Sequence, residues 1–176
     1  MPKVVNHVDL DSVALTEKEG RNDRSRVKKK VALEGEWVLD PKAGYQFRTE
    51  VQYEKGKQSI EMDFPSYLGG KGNAPGPMAY CLAGITSCFI GTFATVAATE
   101  GVELTKLRVN AQCSVNFAKT LGVADEPVTE GIDFVIEAES RNAGKERLQE
   151  LVAIAEERCP AVYSMTHVIN VNARIA

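Results

Sequence analysis

The longest apolar stretch of the chain covers residues 73–101 and has no charged residue between Lys71 and Glu100. Pro77 suits the first turn of a helix, because its missing N–H would have no partner there. Gly101 suits the left-handed position just past a helix end. The pattern therefore predicts one long helix over residues 77–100.

The two faces of this predicted helix differ in side-chain size. Small residues recur at helical spacing on one face: Cys81, Gly84, Cys88, Gly91, Thr95 and Ala98. The other face carries larger apolar side chains: Leu82, Ile85, Phe89, Phe93 and Val96. One face should fill a core, while the other lets a second backbone approach closely.

Apolar and polar residues alternate on both sides of the helix, as they do in half-buried strands. Before the helix, three strands of a meander are predicted within residues 31–39, 47–53 and 60–64, separated by turn-forming residues. After it, strands are predicted over 107–117 and 132–138. A second helix is predicted over Lys145–Arg158, with Leu148, Val152, Ala155 and Cys159 in one stripe.

Pro160 should end the second helix, and a last strand is expected near the end of the chain. Its predicted inward residues are His167, Ile169, Val171, Ala173 and Ile175. The order β-β-β-α-β-β-α-β groups strands in runs, which is typical of an α+β fold. We expect a polar N-terminal arm over residues 1–30 and one domain over 31–176.

Length and composition fit a folded domain, with 176 residues, 44% hydrophobic and 26% charged. A helix of about 20 apolar residues is also long enough to cross a bilayer. Its Gly, Ser and Thr content and its lack of basic flanks weigh against a membrane span. With no signal-peptide pattern at the N-terminus, the cytoplasm is the expected compartment.

A basic segment between residues 21 and 30 is the main local charge feature. It contains Arg21, Arg24, Arg26, Lys28, Lys29 and Lys30, opposed by Asp23. The formal net charge is −3, and no aromatic residues interleave with these cations, so a nucleic-acid partner is not expected. A solvated segment is the plain interpretation, and contact with a protein partner stays open.

The four cysteines leave several chemical roles open. Their spacings fit neither a disulfide-stapled fold nor a zinc site, so reduced thiols without metal or cofactor are expected. Cys113 fits the usual role of a small buried hydrophobe. Cys159 precedes Pro160, where the free N–H groups of a following helical turn would stabilise a thiolate. His7 and His167 fit surface or structural roles better than a catalytic dyad.

Several short motifs resemble the OsmC/Ohr family of osmotically inducible and organic-hydroperoxide-resistance proteins. They are Gly69-Gly70, Pro77-Met78, Leu82-Ala83-Gly84, Ser87-Cys88 and Arg158-Cys159-Pro160-Ala161-Val162. The resemblance covers residues 45–176 in matching order. It implies an intertwined homodimer with active sites at the subunit interface.

The resemblance also implies site residues and chemistry. Cys88 would be the nucleophile that attacks an organic hydroperoxide, and Cys159 the resolving thiol that forms a disulfide with it. A dithiol reductant would reopen that disulfide. An arginine from the early strands, with Arg48 as the nearest match, would favour the thiolate. Cys81 has no counterpart and is interpreted as packing or as a third redox partner.

Met78 departs from the pattern of the Ohr peroxidases, which have a glutamate there to orient the arginine. A thioether accepts hydrogen bonds from guanidinium far more weakly than a carboxylate does. The sequence therefore resembles the broader OsmC-like branch. Two alternatives to a peroxidase stay open: a protein that binds a small hydrophobic or acidic metabolite without turnover, and a redox sensor that uses the basic segment.

Overall fold

The computed structural model describes residues 3–175 of the chain. It shows a mixed α+β fold with antiparallel sheets, as predicted. The helices are α1 (Leu10–Asn22), α2 (Pro77–Thr99), α3 (Lys145–Arg158) and α4 (Pro160–Thr166). The strands are β1 (Val4–Val5), β2 (Val8–Asp9), β3 (Gly35–Trp37), β4 (Phe47–Tyr53), β5 (Gly56–Met62), β6 (Leu104–Val115) and β7 (Thr129–Ser140).

Internal contacts divide the chain into two compact units. One comprises described residues 3–16 and 84–175, and we call it the cysteine unit because it contains Cys88, Cys113 and Cys159. The other comprises residues 17–83, and we call it the meander unit. Each unit is described by itself below.

The core of the cysteine unit forms between α2, α3 and the β6–β7 hairpin. Phe89 and Phe93 of α2 and Leu151 of α3 are fully buried. Phe89 stacks on Phe134 of β7 with ring centroids 4.9 Å apart. This confirms the larger-residue face of α2 as a core face. Each such side chain contributes about 1.5–3 kcal/mol on burial, which makes α2 the main source of packing energy here.

The side chain of Asn6 joins the N-terminal hairpin to the start of β6. Asn6 and His7 form the β1–β2 turn with φ of 53° and 64°, as a two-residue hairpin loop requires. The Asn6 Nδ2 donates to the Val102 carbonyl at 2.8 Å, and its Oδ1 accepts from the Leu104 N–H at 2.8 Å. Part of the predicted polar arm is therefore ordered by a specific contact.

The meander unit contains the predicted three-stranded sheet in the order β3-β4-β5. Its first strand is shorter than predicted, because only residues 35–37 pair with β4. Val31 and Leu39, expected to face inward, are 93% and 85% exposed. Alternation alone does not hold a residue in a strand when no layer covers its apolar side.

The last predicted strand is not formed. Helix α4 replaces the short turn expected after Pro160, and residues 167–175 have no regular secondary structure. Val168, Val171 and Ile175 are 102%, 86% and 100% exposed. A strand needs a hydrogen-bonding neighbour, and the described part of the chain supplies none to this segment. Alternation predicts which side chains of a strand would face inward. It does not show whether a neighbouring strand is present to pair with it.

By length and composition, α2 is the one helix within residues 3–175 that would be able to cross a membrane. Those two properties are shared by core helices of folded domains. In this chain, Phe89 and Phe93 of the same helix are fully buried in the protein core.

The close packing around Gly70 in the meander unit can be tested by substitution. A Cβ added at Gly70 would lie 1.8 Å from the Phe64 carbonyl oxygen, whereas one at Gly76 would meet nothing closer than 3.7 Å. We expect Gly70→Ala to lower the free energy of unfolding by about 1–3 kcal/mol through overpacking. The matched Gly76→Ala should change it by less than about 0.5 kcal/mol. Equal denaturant midpoints for the two variants would contradict the packing described for Gly70.

Candidate active site

Two of the predicted site residues meet in the cysteine unit. The sulfur atoms of Cys88 and Cys159 lie 3.6 Å apart, and both thiols are free. Cys159 is fully buried, whereas Cys88 is half-buried. The structure therefore brings together the two thiols that the family resemblance names, and their catalytic roles stay a prediction.

A break between two helices places Cys159 beside α2. Cys159 is both the last cap of α3 and the first cap of α4, with φ of −74° and ψ of 119°. Its N–H still donates to the Ala155 carbonyl at 2.9 Å. Pro160 has no N–H to continue that ladder, so the backbone leaves the α conformation one residue earlier. Because Leu151 and Ala155 of the same helix are fully buried, the break lies against the core.

The surroundings of Cys88 favour the protonated thiol. Burial raises the pKa of Cys88 most strongly, and the hydrogen bond and charge of Cys159 raise it further. The backbone N–H of Ala161 donates to the Cys88 sulfur and acts in the opposite direction. Within residues 3–175, no cationic side chain is among the groups that shift this pKa. The thiolate fraction at neutral pH is therefore small.

Arg48 lies on β4 of the meander unit and has a carboxylate partner. Its Nε donates to Glu36 on β3 at 2.8 Å, and the two residues face each other in the strand register. A side-chain hydrogen bond with Tyr45, followed by the Glu36 charge, raises the pKa of Arg48. The Arg48 and Glu36 side chains are 54% and 60% exposed, so the pair adds little stability. The predicted role of Arg48 toward Cys88 stays a prediction.

The other residues weighed from the sequence occupy separate positions. Met78 and Cys81 are exposed in the first turns of α2, within the meander unit. Cys113 is half-buried on β6 opposite Ile132 of β7. His7 lies in the β1–β2 turn, and His167 follows α4 and stacks on Tyr163 with ring centroids 4.0 Å apart.

Sequence reasoning placed one group on the wrong thiol and missed another. The N–H groups that follow Pro160 are predicted to act on Cys159, whereas the Ala161 N–H at the start of α4 acts on Cys88. The Glu36 partner of Arg48 had a detectable signal, since both residues lie on polar faces of neighbouring strands in the predicted meander. Cross-strand register, which fixes such pairs, is not determined by alternation alone.

Residues 3–175 contain no group of three or more His, Cys, Asp or Glu side chains that would hold a metal ion. A cleft of about 860 Å³ lies along β7 and α3 in the cysteine unit. Phe134, Ile136 and Val152 are among its apolar lining residues, and its charged ones are Lys106, Glu137, Glu139, Lys145 and Glu156. Lys106 is paired with Glu137 and Glu139. The volume of the cleft is within the range of small-molecule sites.

Comparison with known proteins identifies the family. The family model described as "OsmC-like protein" matches residues 70–174. The chain belongs to this family. No curated protein sequence matches the chain.

Solved structures of OsmC-like proteins share the fold at low sequence identity. The OsmC-like protein of Mycoplasma pneumoniae has a TM-score of 0.57 at 18% identity, covering 81% of this chain and 91% of that one. An organic hydroperoxide resistance protein OsmC from Legionella pneumophila has a TM-score of 0.54 at 20% identity, covering 78% and 91%. A Vibrio cholerae protein described as a putative organic hydroperoxide resistance protein, solved with captopril in one active site, has a TM-score of 0.51 at 17% identity, covering 79% and 87%.

The raised pKa of Cys88 gives a pH prediction. In a Cys81→Ser/Cys113→Ser variant, we expect the rate of iodoacetamide alkylation of Cys88 to rise with pH. The midpoint of this rise should lie above that of a free thiol, which is at about pH 8.5. The sign follows because only the thiolate reacts and burial favours the thiol. A short unstructured peptide with one cysteine and blocked termini, alkylated under the same conditions, is the reference. A Cys88 midpoint at or below the reference would show that a positive group acts on the sulfur.

Proposed function

We propose that this OsmC-like protein is a cytoplasmic thiol-dependent peroxidase that reduces organic hydroperoxides. The contact between the Cys88 and Cys159 sulfurs at 3.6 Å carries the proposal. A nucleophile and a resolving thiol must come together within one catalytic cycle, and these two need little movement to react. The fold shared with organic hydroperoxide resistance proteins supports the same chemistry.

In the proposed cycle, the half-buried Cys88 acts first. Its thiolate attacks one oxygen of the O–O bond, which breaks to release an alcohol and leaves a sulfenic acid on Cys88. The Cys159 thiol then attacks that sulfur, so a disulfide forms and water leaves. A dithiol reductant supplies two electrons and two protons to restore both thiols. The Ala161 N–H stabilises the Cys88 thiolate at the start of the cycle.

Arg48 is proposed as the cation that, during the cycle, offsets part of the rise in the Cys88 pKa caused by burial. Its partner Glu36 supplies the carboxylate that this chain lacks at Met78, where the Ohr pattern has a glutamate. A guanidinium held by a carboxylate keeps its direction better than a free one, because the charged hydrogen bond restricts its rotation. Arg48 therefore has a carboxylate to orient it even though position 78 is a methionine.

Replacing the proposed nucleophile tests the assignment. We expect Cys88→Ser to abolish consumption of an organic hydroperoxide, because serine does not form the sulfenic acid. Cys113→Ser, a change of another half-buried cysteine, should leave the rate within about twofold of wild type, because Cys113 has no part in the cycle. Cys159→Ala should accumulate sulfenic acid on Cys88, detected by dimedone and intact mass. Equal activity in Cys88→Ser and Cys113→Ser would contradict the peroxidase proposal.

A ligand-binding protein is the second candidate, favoured by the 860 Å³ cleft and the high Cys88 pKa. In this alternative, the apolar lining residues hold a small hydrophobic or acidic metabolite, and the cysteines are structural. Cys88 that stays reduced for many minutes under excess hydroperoxide would favour it over the peroxidase.

We further propose that the protein is a homodimer. Gly84 and Gly91 of α2 are exposed, and a Cβ built on either meets nothing within 4 Å. The fully exposed apolar side chains of residues 168 and 175 also lack a covering surface in the described chain. A second copy would bury both features. Only the exposed part of the predicted small-residue face takes part in this proposal, because Cys88 contacts Cys159 and Ala98 is buried within the same chain.

The dimer proposal predicts the effect of a bulky residue on the small face of α2. Gly91→Leu should weaken association at least tenfold, because the added side chain separates two closely packed backbones. Light scattering over a concentration series measures the dissociation constant. Glu146→Leu, an exposed helical position on α3, is the matched control and should leave association unchanged. A monomeric wild type, or equal effects of the two substitutions, would overturn the homodimer.

A further inference from the structure

The Cys88–Cys159 pair also has the geometry of a chelating ligand. Bonds of about 2.3 Å from both sulfurs to one central atom, the length found for zinc, would give an S–X–S angle of about 100° at a separation of 3.6 Å. This angle suits a tetrahedral or pyramidal centre. A linear two-coordinate ion would require the sulfur atoms to move apart.

The number of protein ligands that are present then decides which tetrahedral or pyramidal centre fits. Structural zinc takes four protein ligands and catalytic zinc three, whereas no group of three suitable side chains exists within residues 3–175. A pyramidal centre that takes two sulfurs and carries its own third substituent needs nothing more from the protein. Trivalent arsenic in organic arsenicals has this valence and this preference for sulfur.

We propose that Cys88 and Cys159 form a chelating site for trivalent organic arsenicals. The reaction is a condensation of R–As(OH)₂ with two thiols. Two As–O bonds break and two As–S bonds form, while each thiol proton leaves with one hydroxyl as water. Arsenic stays trivalent and the sulfur atoms are not oxidised, so no oxidant or reductant takes part.

The surroundings of the two thiols suit this condensation better than they suit peroxide attack. Attack on a peroxide needs a thiolate, and burial disfavours the Cys88 thiolate. In the condensation with an arsenic hydroxyl, the thiol proton leaves with the hydroxyl as water, so the overall reaction starts from the form that burial favours. The arsenical site therefore shares two residues with the proposed peroxidase but does not rest on its activity.

The difference in exposure sets the order of the two bonds. Cys88 is half-buried and meets the arsenical first, while Cys159 is fully buried and closes the ring. The second bond is intramolecular, so its effective concentration far exceeds that of a competing monothiol in solution. The third substituent stays on the solvent side of Cys88. A chelate of this kind resists monothiols and yields to a small dithiol.

Phenylarsine oxide, which hydrates to the dihydroxy form, is the probe for the test. The full-length protein, reduced and freed of reductant, is incubated with it and washed with excess 2-mercaptoethanol. Intact mass under non-denaturing conditions counts the arsenicals retained. We expect one per chain in the wild type and in Cys81→Ser/Cys113→Ser, which leaves only the proposed pair. Addition of 2,3-dimercaptopropanol should remove it.

Single substitutions in the pair complete the test. Cys88→Ser and Cys159→Ser should each lose the monothiol-resistant arsenical. Cys88 is half-buried, so its substitution disturbs the core less than that of Cys159, and circular dichroism checks the fold of both. Retention by Cys88→Ser, or no retention by the wild type, would overturn the site. Hydroperoxide consumption, measured separately without arsenical, reports on the proposed peroxidase alone.

Discussion

The packing of α2 against α3 and the β6–β7 hairpin is the interaction on which the rest of the cysteine unit depends. Phe89 and Phe93 fill the core, which fixes the rotation of α2 about its own axis. Cys88 directly precedes Phe89, so its direction is set by that rotation. The 3.6 Å contact between Cys88 and Cys159 is therefore a consequence of hydrophobic burial and needs no bond between the two sulfur atoms.

The same burial has opposite effects on the chemistry of the pair. It holds two thiols close enough to react with one another, and it raises the pKa of the more accessible one. A peroxidase must offset the second effect with a positive group, whereas a condensation with a metalloid hydroxyl does not have to. Proximity and protonation state are thus separate properties of this site, and different reactions depend on different ones.

Periodicity predicted the elements with strong local signals, including α3 at its observed bounds and the buried face of α2. It failed where a neighbour decides the outcome. Residues 31 and 171 alternate correctly, yet both are largely exposed because no strand or layer within residues 3–175 covers them. The proximity of Cys88 and Cys159 was predicted only through the family motif, because separation along the sequence does not determine the distance between two residues in the fold. The Arg48–Glu36 pair depends on strand register, which the pattern left open.

The Asn6 contact limits how far the chain can be shortened from its N-terminal side without loss of hydrogen bonds to the core. One amide side chain bonds the Val102 carbonyl and the Leu104 N–H as a neighbouring strand would. Both of these bonds are partly buried, so a chain that lacks Asn6 leaves a donor and an acceptor without protein partners at the start of β6. Each loss costs about 1–3 kcal/mol where water does not reach the group. Residues 3–9 thus hold the start of β6 through Asn6, and a shortened protein that begins at the meander would lose this contact.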